Sequence, residues 1–160
     1  MTVPVRPIKP EDFNAFVDLL HEMAETLSLS DYMFIEKTGR SDRDPRKENL
    51  YQAIFGDHPM IEVLVLEVDK VLSGICVFHT SFSTYRGQPG VFLEDLFIKK
   101  SLHRKGYGRL IFKELKKIAK SRGCYQIVWY YPGKNIPVRE FYKSLGAETF
   151  TKSSMVLKLD

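Results

Sequence analysis

Only two cysteines occur in the 160 residues, Cys76 and Cys124. Both lie in apolar, strand-like or helix-end stretches. That favours buried free thiols over a disulfide framework, and the cytoplasm as compartment. No apolar run approaches the ~20 residues needed to span a bilayer, so no membrane partner is expected. The segment Met1-Thr2-Val3-Pro4-Val5-Arg6 carries no signal-peptide pattern. His21, His58 and His79 have no ligand-like spacing with the cysteines, so no metal site is expected. Internal repeats, linkers and low-complexity tracts are absent as well, and 160 residues fit a single domain over the whole chain.

What is present is a soluble, globular composition, 44% hydrophobic and 28% charged. The net charge of +4 is unevenly spread. Residues 99–122 hold ten Lys/Arg and one acid, Glu114, so this segment carries +9 and the remainder −5. A basic helix of this kind suits a solvated face, a nucleic acid, or the phosphates of a nucleotide cofactor. The glycines at 106 and 108 favour the last.

The pattern along the chain alternates strands and helices. Val3–Arg6 reads as a short edge strand, since Pro4 and Pro7 lack the ladder donor. Phe13, Phe16, Val17, Leu20, Met23, Ala24 and Leu27 recur at helical spacing behind an acidic start. Residues 28–44 read as a loop, and Arg46–Phe55 as a second helix. Strands Ile61–Val68 and Val71–Phe82 flank a tight Asp69-Lys70 connection. Ser83–Gly90 is a turn-rich link into the strand Val91–Ile98.

A third helix, Gly106–Arg122, shows an apolar stripe of Tyr107, Leu110, Ile111, Leu115, Ile118 and Ala119 opposite its lysines. Gln126–Tyr131 has the near-continuous apolar pattern of a strand buried on both faces. Asn135–Leu145 is a fourth helix, and Thr149–Phe150 and Met155–Leu159 read as closing strands. The fold class is α/β, a mixed sheet with helices on its faces.

The most informative stretch is 92–108. An apolar strand carries adjacent carboxylates, Glu94 and Asp95, and leads through a basic loop with two glycines into a helix start. Unpaired N–H groups and the positive dipole end make such a start an anion cradle. A carboxylate pair beside it can hold a cation. The combination suggests transfer between a phosphorylated cofactor and a cationic substrate.

These residues resemble the GNAT superfamily of acyl-CoA-dependent N-acetyltransferases over nearly the whole length. His103-Arg104-Lys105-Gly106-Tyr107-Gly108 is similar to the family's Q/R-x-x-G-x-G/A motif, with His103 in place of Gln or Arg. An imidazole can still donate a hydrogen bond, so a weakened pyrophosphate contact is expected there. Three stretches resemble the diamine acetyltransferase branch, which includes spermidine/spermine and thialysine acetyltransferases. They are Ser83-Thr84-Tyr85-Arg86-Gly87, Phe92-Leu93-Glu94-Asp95-Leu96-Phe97, and the helix from Asn135 to Ala147 with Pro137, Phe141 and Tyr142.

The resemblance implies a GNAT fold, with a mostly antiparallel central sheet flanked by about four helices. It also implies acetyl-CoA as donor and a homodimer. The acceptor it implies is a primary amine on a small cationic molecule: a polyamine, a diamine or a lysine-like amino acid. Protein, peptide or aminoglycoside acceptors, and a non-catalytic CoA- or nucleic-acid-binding module, are the alternatives. Sparse aromatic interleaving in 99–122 argues against nucleic acid.

By periodicity Tyr142 belongs to the apolar face of its helix beside Phe141 and Leu145, and the resemblance implies that it is the general acid; a phenol of ordinary pKa ~10 can protonate a thiolate leaving group while staying neutral beforehand. Glu94 is expected to accept the amine's proton through water, with Asp95 attracting the cation. Strand alternation allows only one of the two carboxylates to face a given pocket. The resemblance implies that the backbone of Leu96, Phe97 and Ile98 holds the pantetheine arm, and a bulge or splay in the strand would free its N–H groups. His103, Arg104, Lys105, Gly106, Tyr107, Gly108 and Arg109 are the candidates for the cofactor's phosphates. Asn135 caps its helix or contacts the cofactor, and Tyr85 shapes the amine pocket. No nucleophile–base arrangement is suggested, so direct attack in a ternary complex is preferred to a covalent enzyme intermediate.

Overall fold

Backbone pairing assembles five strands in the order β1-β2-β3-β4-β5, as seen in a computed structural model that describes residues 4–26, 46–131, 133–151, 155, 157 and 159. These strands are β1 (Val5–Pro7), β2 (Glu62–Val68), β3 (Val71–Ser83), β4 (Gln88–Ile98) and β5 (Ile127–Trp129). The first three pairings are antiparallel and β4–β5 is parallel, so the sheet is mixed and mostly antiparallel, as expected. The helices are α1 (Phe13–Thr26), α2 (Lys47–Phe55), α3 (Tyr107–Ser121) and α4 (Ile136–Ser144). The expected loop 28–44 lies outside the described residues. Two compact units are present, residues 1–130 and 131–160.

In the first unit, β1 is an edge strand. Arg6 fixes it, with Nη1 donating to Asp12 Oδ2 at 2.6 Å and Nη2 donating to Glu67 Oε2 at 2.7 Å. The buried Asp12 carboxylate also accepts the Lys9 N–H at 2.8 Å. One group thus ties the edge strand to the entry of α1 and to β2. The Asp69-Lys70 link is a two-residue hairpin with both residues at positive φ, 50° and 64°, the geometry that matches strand twist. The β3–β4 hairpin runs further than the sequence suggests, pairing as far as Ser83↔Gln88.

The sheet is covered on both faces. Odd-numbered Val63, Val65, Ile75 and Val77 join Phe97 in a core with Phe13, Phe16, Val17 and Leu20 of α1 and Ile54 of α2. Even-numbered Leu64, Leu66, Cys76 and Phe78 are buried on the other face, the side on which α3 buries Ile111, Phe112, Leu115 and Ala119 and packs on β1, β2 and β4. Phe16, Val17, Val65, Ile75, Ile111 and Leu115 are almost wholly excluded from water. Each such large side chain contributes about 1.5–3 kcal/mol of burial.

Two strand expectations need correction, and a third, Met155–Leu159, falls partly outside the described residues. The apolar run 126–131 forms only Ile127–Trp129, and all three residues are half-buried. The reason is position: among the described residues β5 has β4 alone as a strand neighbour. Thr149 and Phe150 are exposed and belong to no strand, because nothing described forms a ladder with them. Met155, Leu157 and Leu159 are likewise exposed and outside any strand. The intervening 156 and 158 lie outside the described residues.

In the second unit, Asn135 caps α4, its Oδ1 accepting the Val138 N–H at 3.2 Å. Pro137 sits in the first turn of that helix, where its missing N–H costs nothing.

Candidate active site

A bulge in β4 sets the geometry. Val77 pairs with Asp95, and the next β3 residue, Phe78, pairs with Leu93. Glu94 is therefore an extra residue with no cross-strand partner. The consequence is a change of parity along β4. Asp95 and Phe97 pair with Val77 and Ile75, on the face covered by α1 and α2. Leu93 pairs with Phe78, on the opposite face. Glu94 reaches His79, which follows Val77 by two residues on the α1/α2 face, with Oε1 and Nε2 3.0 Å apart. Both carboxylates thus point to one side of the sheet. Simple alternation allowed only one of them; the inserted residue re-aims the pair.

Their surroundings differ. The Glu94 side chain is 45% exposed. Asp95 is half-buried, and its carboxyl is raised above the ordinary 3.8, first by burial and then by the Glu94 charge. The Cys76 thiol is pushed up to about 12, again by burial first and by Asp95 second. An ammonium ion placed here would relieve the cost that burial imposes on the Asp95 carboxylate.

Beyond the bulge the outer edge of β4 opens. The β4–β5 ladder covers Val91↔Ile127, Phe92↔Val128 and Leu93↔Trp129 and then stops. The stretch from Glu94 through Leu96, Phe97 and Ile98 has no β5 partner, so this edge can receive an extended chain bearing amide groups.

At the end of β4 a 3-10 turn, Lys100–Leu102, leads to the loop that starts α3. Arg104 and Gly106 both have positive φ, 62° and 85°. Gly106 is the N-cap of α3 and no side chain caps that end. The first helical N–H groups, from Tyr107, Gly108 and Arg109, therefore face outward without a capping side chain. A Cβ at Gly106 would meet nothing within 4 Å, so the approach is open. Arg104 and Lys105 are exposed beside it, and so is Arg109. Donors, dipole and basic side chains together fit a pyrophosphate.

His103 behaves differently from the expectation. Its Nε2 lies 2.8 Å from the Ile98 carbonyl oxygen. A carbonyl only accepts, so Nε2 is the donor, and a neutral ring has no second N–H for an anion. The ring fastens the loop to the end of β4. Tyr85 is also displaced from its expected role. It sits at the tip of the β3–β4 hairpin and is 99% exposed. Six residues of strand separate Gln88 from Glu94, roughly 20 Å at strand rise, so the structure does not bring Tyr85 to the carboxylates.

Tyr142 lies in the last half of α4, half-buried, with its ring 6.2 Å from that of Tyr131 and 5.3 Å from that of Phe141. Asn135 is committed to the helix cap described above.

One residue of the site escaped the sequence reading, which weighed His79 only as a metal ligand. Its ring stacks on Phe92, its cross-strand partner, at 5.3 Å and 25°. Phe92 in turn meets Tyr130 edge-on at 5.4 Å. A hairpin centred on residues 84–87 was the signal that could have paired His79 with Phe92.

Comparison with known proteins agrees with this geometry. Residues 20–147 match the model of the acetyltransferase (GNAT) family. Thialysine N-epsilon-acetyltransferase of Bos taurus is 28% identical over 160 residues, covering 94% of this chain and 87% of that protein. L-ornithine N5-acetyltransferase of Arabidopsis thaliana is 28% identical over 82 residues, 51% of this chain and 36% of that protein. The crystal structure of ribosomal-protein-alanine N-acetyltransferase from Brucella melitensis superposes with a TM-score of 0.75 at 19% identity, covering 99% of this chain and 100% of that one. With a sheet of this order, an open β4 edge and a family match across most of its length, the chain belongs to the acetyltransferase (GNAT) family and is an N-acetyltransferase.

Proposed function

We propose that the chain moves the acetyl group of acetyl-CoA onto a primary amine of a small cationic acceptor, a polyamine, diamine or lysine-like amino acid, by direct attack in a ternary complex. The observation that carries this reading is the β4 bulge, which turns two carboxylates to one face beside the open strand edge. The names of the relatives above, which include thialysine and ornithine acetyltransferases, support a small amine.

The α3 start with Arg104, Lys105, Gly106 and Arg109 holds the pyrophosphate of the donor, and the edge from Leu96 to Ile98 holds its amide-bearing arm. Acetyl-CoA supplies the thioester carbonyl and a thiolate leaving group. The acceptor arrives as an ammonium. At an ordinary pKa of ~10.4, freeing its lone pair near neutral pH costs about 4–5 kcal/mol. Asp95 attracts the cation, and Glu94 takes its proton through a water at the exposed carboxylate. Tyr142 gives its Oη proton to the departing sulfur. The family match crosses the boundary at residues 130 and 131, which supports residues 1–160 acting as one catalytic domain. The same reading places it in the cytoplasm as a homodimer, for which size-exclusion chromatography is the test.

The deciding experiment measures thiol release from acetyl-CoA with spermidine, putrescine, lysine, thialysine, an aminoglycoside and a short peptide. Turnover of a small amine, with a loss of at least about a hundredfold in kcat for a folded Tyr142→Phe, is the expected result. Turnover of the peptide alone would move the acceptor to proteins. Full activity in Tyr142→Phe would remove Tyr142 from the mechanism.

A further inference from the structure

The geometry points to His79 as a positioning residue that holds the Glu94 carboxylate and takes over the proton Glu94 collects from the acceptor amine. This inference rests on the role proposed above for Glu94.

The first observation is the contact itself, 3.0 Å between Nε2 and Oε1. Glu94 is the bulged residue, outside the ladder, so the ladder does not fix where its carboxylate points. His79 supplies that constraint. The ring cannot drift either, because it stacks on Phe92, which rests edge-on against Tyr130.

The second observation concerns the other nitrogen. Nδ1 lies 3.4 Å from the Thr80 carbonyl oxygen. Both ring nitrogens thus face oxygen acceptors. A neutral imidazole has one N–H and serves one of them; a ring that has gained a proton serves both. With its single N–H on Nδ1 directed at the Thr80 carbonyl, the neutral ring turns a bare Nε2 to Glu94 and accepts the proton that Glu94 collects; the Nε2–H so formed then donates to the carboxylate and holds it.

The third observation is access. The His79 side chain is 33% exposed and that of Glu94 45%. A proton received there can leave to solvent before the next turnover.

The protons balance. The acceptor ammonium carries three. One stays on the amide nitrogen and one ends on the thiol sulfur by way of Tyr142. The third passes through water to Glu94 Oε, then to His79 Nε2, and leaves to solvent. The bonds made and broken are N–C and C–S, and nothing is oxidised or reduced.

The test compares His79→Gln, His79→Phe and Glu94→Gln, with putrescine and 2,3-difluoroputrescine, in which both amines are weaker bases, as acceptors. A glutamine amide can still donate to Glu94, so it keeps the orientation and removes only the proton uptake. Phenylalanine keeps the stack on Phe92 and removes both. With putrescine, His79→Gln is expected to lower kcat about tenfold and His79→Phe about a hundredfold, fractions of the range for general base catalysis. KM for acetyl-CoA stays unchanged in both. With 2,3-difluoroputrescine, whose ammonium groups both give up a proton more readily, both losses shrink to under about threefold.

Wild-type kcat in both His79 variants, while Glu94→Gln falls, overturns the inference and leaves Glu94 in place. Equal losses for the two amines also overturn it, since a purely structural role does not discriminate by basicity. Full activity of Glu94→Gln, or no turnover of any small amine by the unaltered protein, removes the underlying reading instead. Should His79→Phe fail to fold, the glutamine variant carries the test.

Discussion

Alanine at Gly106 separates two costs at the start of α3. Gly106 has φ 85°, and a Cβ there meets nothing within 4 Å. No clash is created, so the penalty in the free protein is the left-handed backbone alone, about 1–2 kcal/mol. For a protein of this size each kcal/mol moves the melting temperature by roughly 2–4 °C, giving a fall of about 2–8 °C. The new methyl also stands in the open approach to the N–H groups of Tyr107, Gly108 and Arg109. If a pyrophosphate binds there, KM for acetyl-CoA rises about tenfold, equivalent to ~1.4 kcal/mol, with kcat at saturation preserved.

Gly123, beyond the other end of α3, is the control. It has φ 68° and equally open space around a Cβ. Gly123→Ala is expected to match Gly106→Ala in melting temperature and to leave KM alone. Thermal melts and acetyl-CoA titrations at saturating amine read both quantities. Equal KM values in the two variants would refute the assignment of the cradle. An unchanged melting temperature in both would refute the backbone argument beneath it.

Asp95→Asn is expected to raise stability at pH 7. Burial and the Glu94 charge raise the Asp95 carboxyl above 3.8, so the folded protein binds that proton more tightly than the unfolded chain does. Stability from this group is complete below pH 3.8 and is lost as pH rises through the raised value. The advantage of the asparagine variant, read from urea midpoints, therefore narrows as the pH is lowered; a variant less stable than its parent at pH 7 would contradict the account. Cys76, with its thiol pushed up to about 12 and no exposure to water, is expected to resist thiol reagents in the native protein. Titration should find at most one reactive thiol, Cys124, before unfolding and two afterwards; two in the native state would show that the sheet opens at β3.

How much of this was legible in sequence depended on whether one period dominated. The apolar stripe of α3 and the repeat of α1 gave their helices nearly to the residue, because one face of each is consistently polar. The bulge was not legible. Phe92, Leu93, Leu96 and Phe97 make both faces of β4 apolar, so no alternation exists whose interruption could be seen. Glu94 and Asp95 were found by their charge, and their shared orientation needed the register with β3. The tie from His103 to the Ile98 carbonyl was hidden for a related reason: it depends on how the loop folds back, which no spacing encodes. Ile127–Trp129 was misjudged because an apolar run in a strand with a single described neighbour reads like one in the centre. Helix α4 was legible between Asn135, a residue suited to a helix cap, and Gly146 beyond its end, and the structure resolves Asn135 as the cap.

The pairing around Glu94 also says how such a site can come and go. Remove the one codon for this residue and Ile75↔Phe97, Cys76↔Leu96, Val77↔Asp95 and Phe78↔Leu93 all keep their partners and their faces. A single-residue insertion within a regular ladder would turn every side chain beyond it to the wrong side. Glu94 therefore stands outside the reading frame of the sheet, and a lineage can gain or shed its carboxylate in one step without refolding the domain around it.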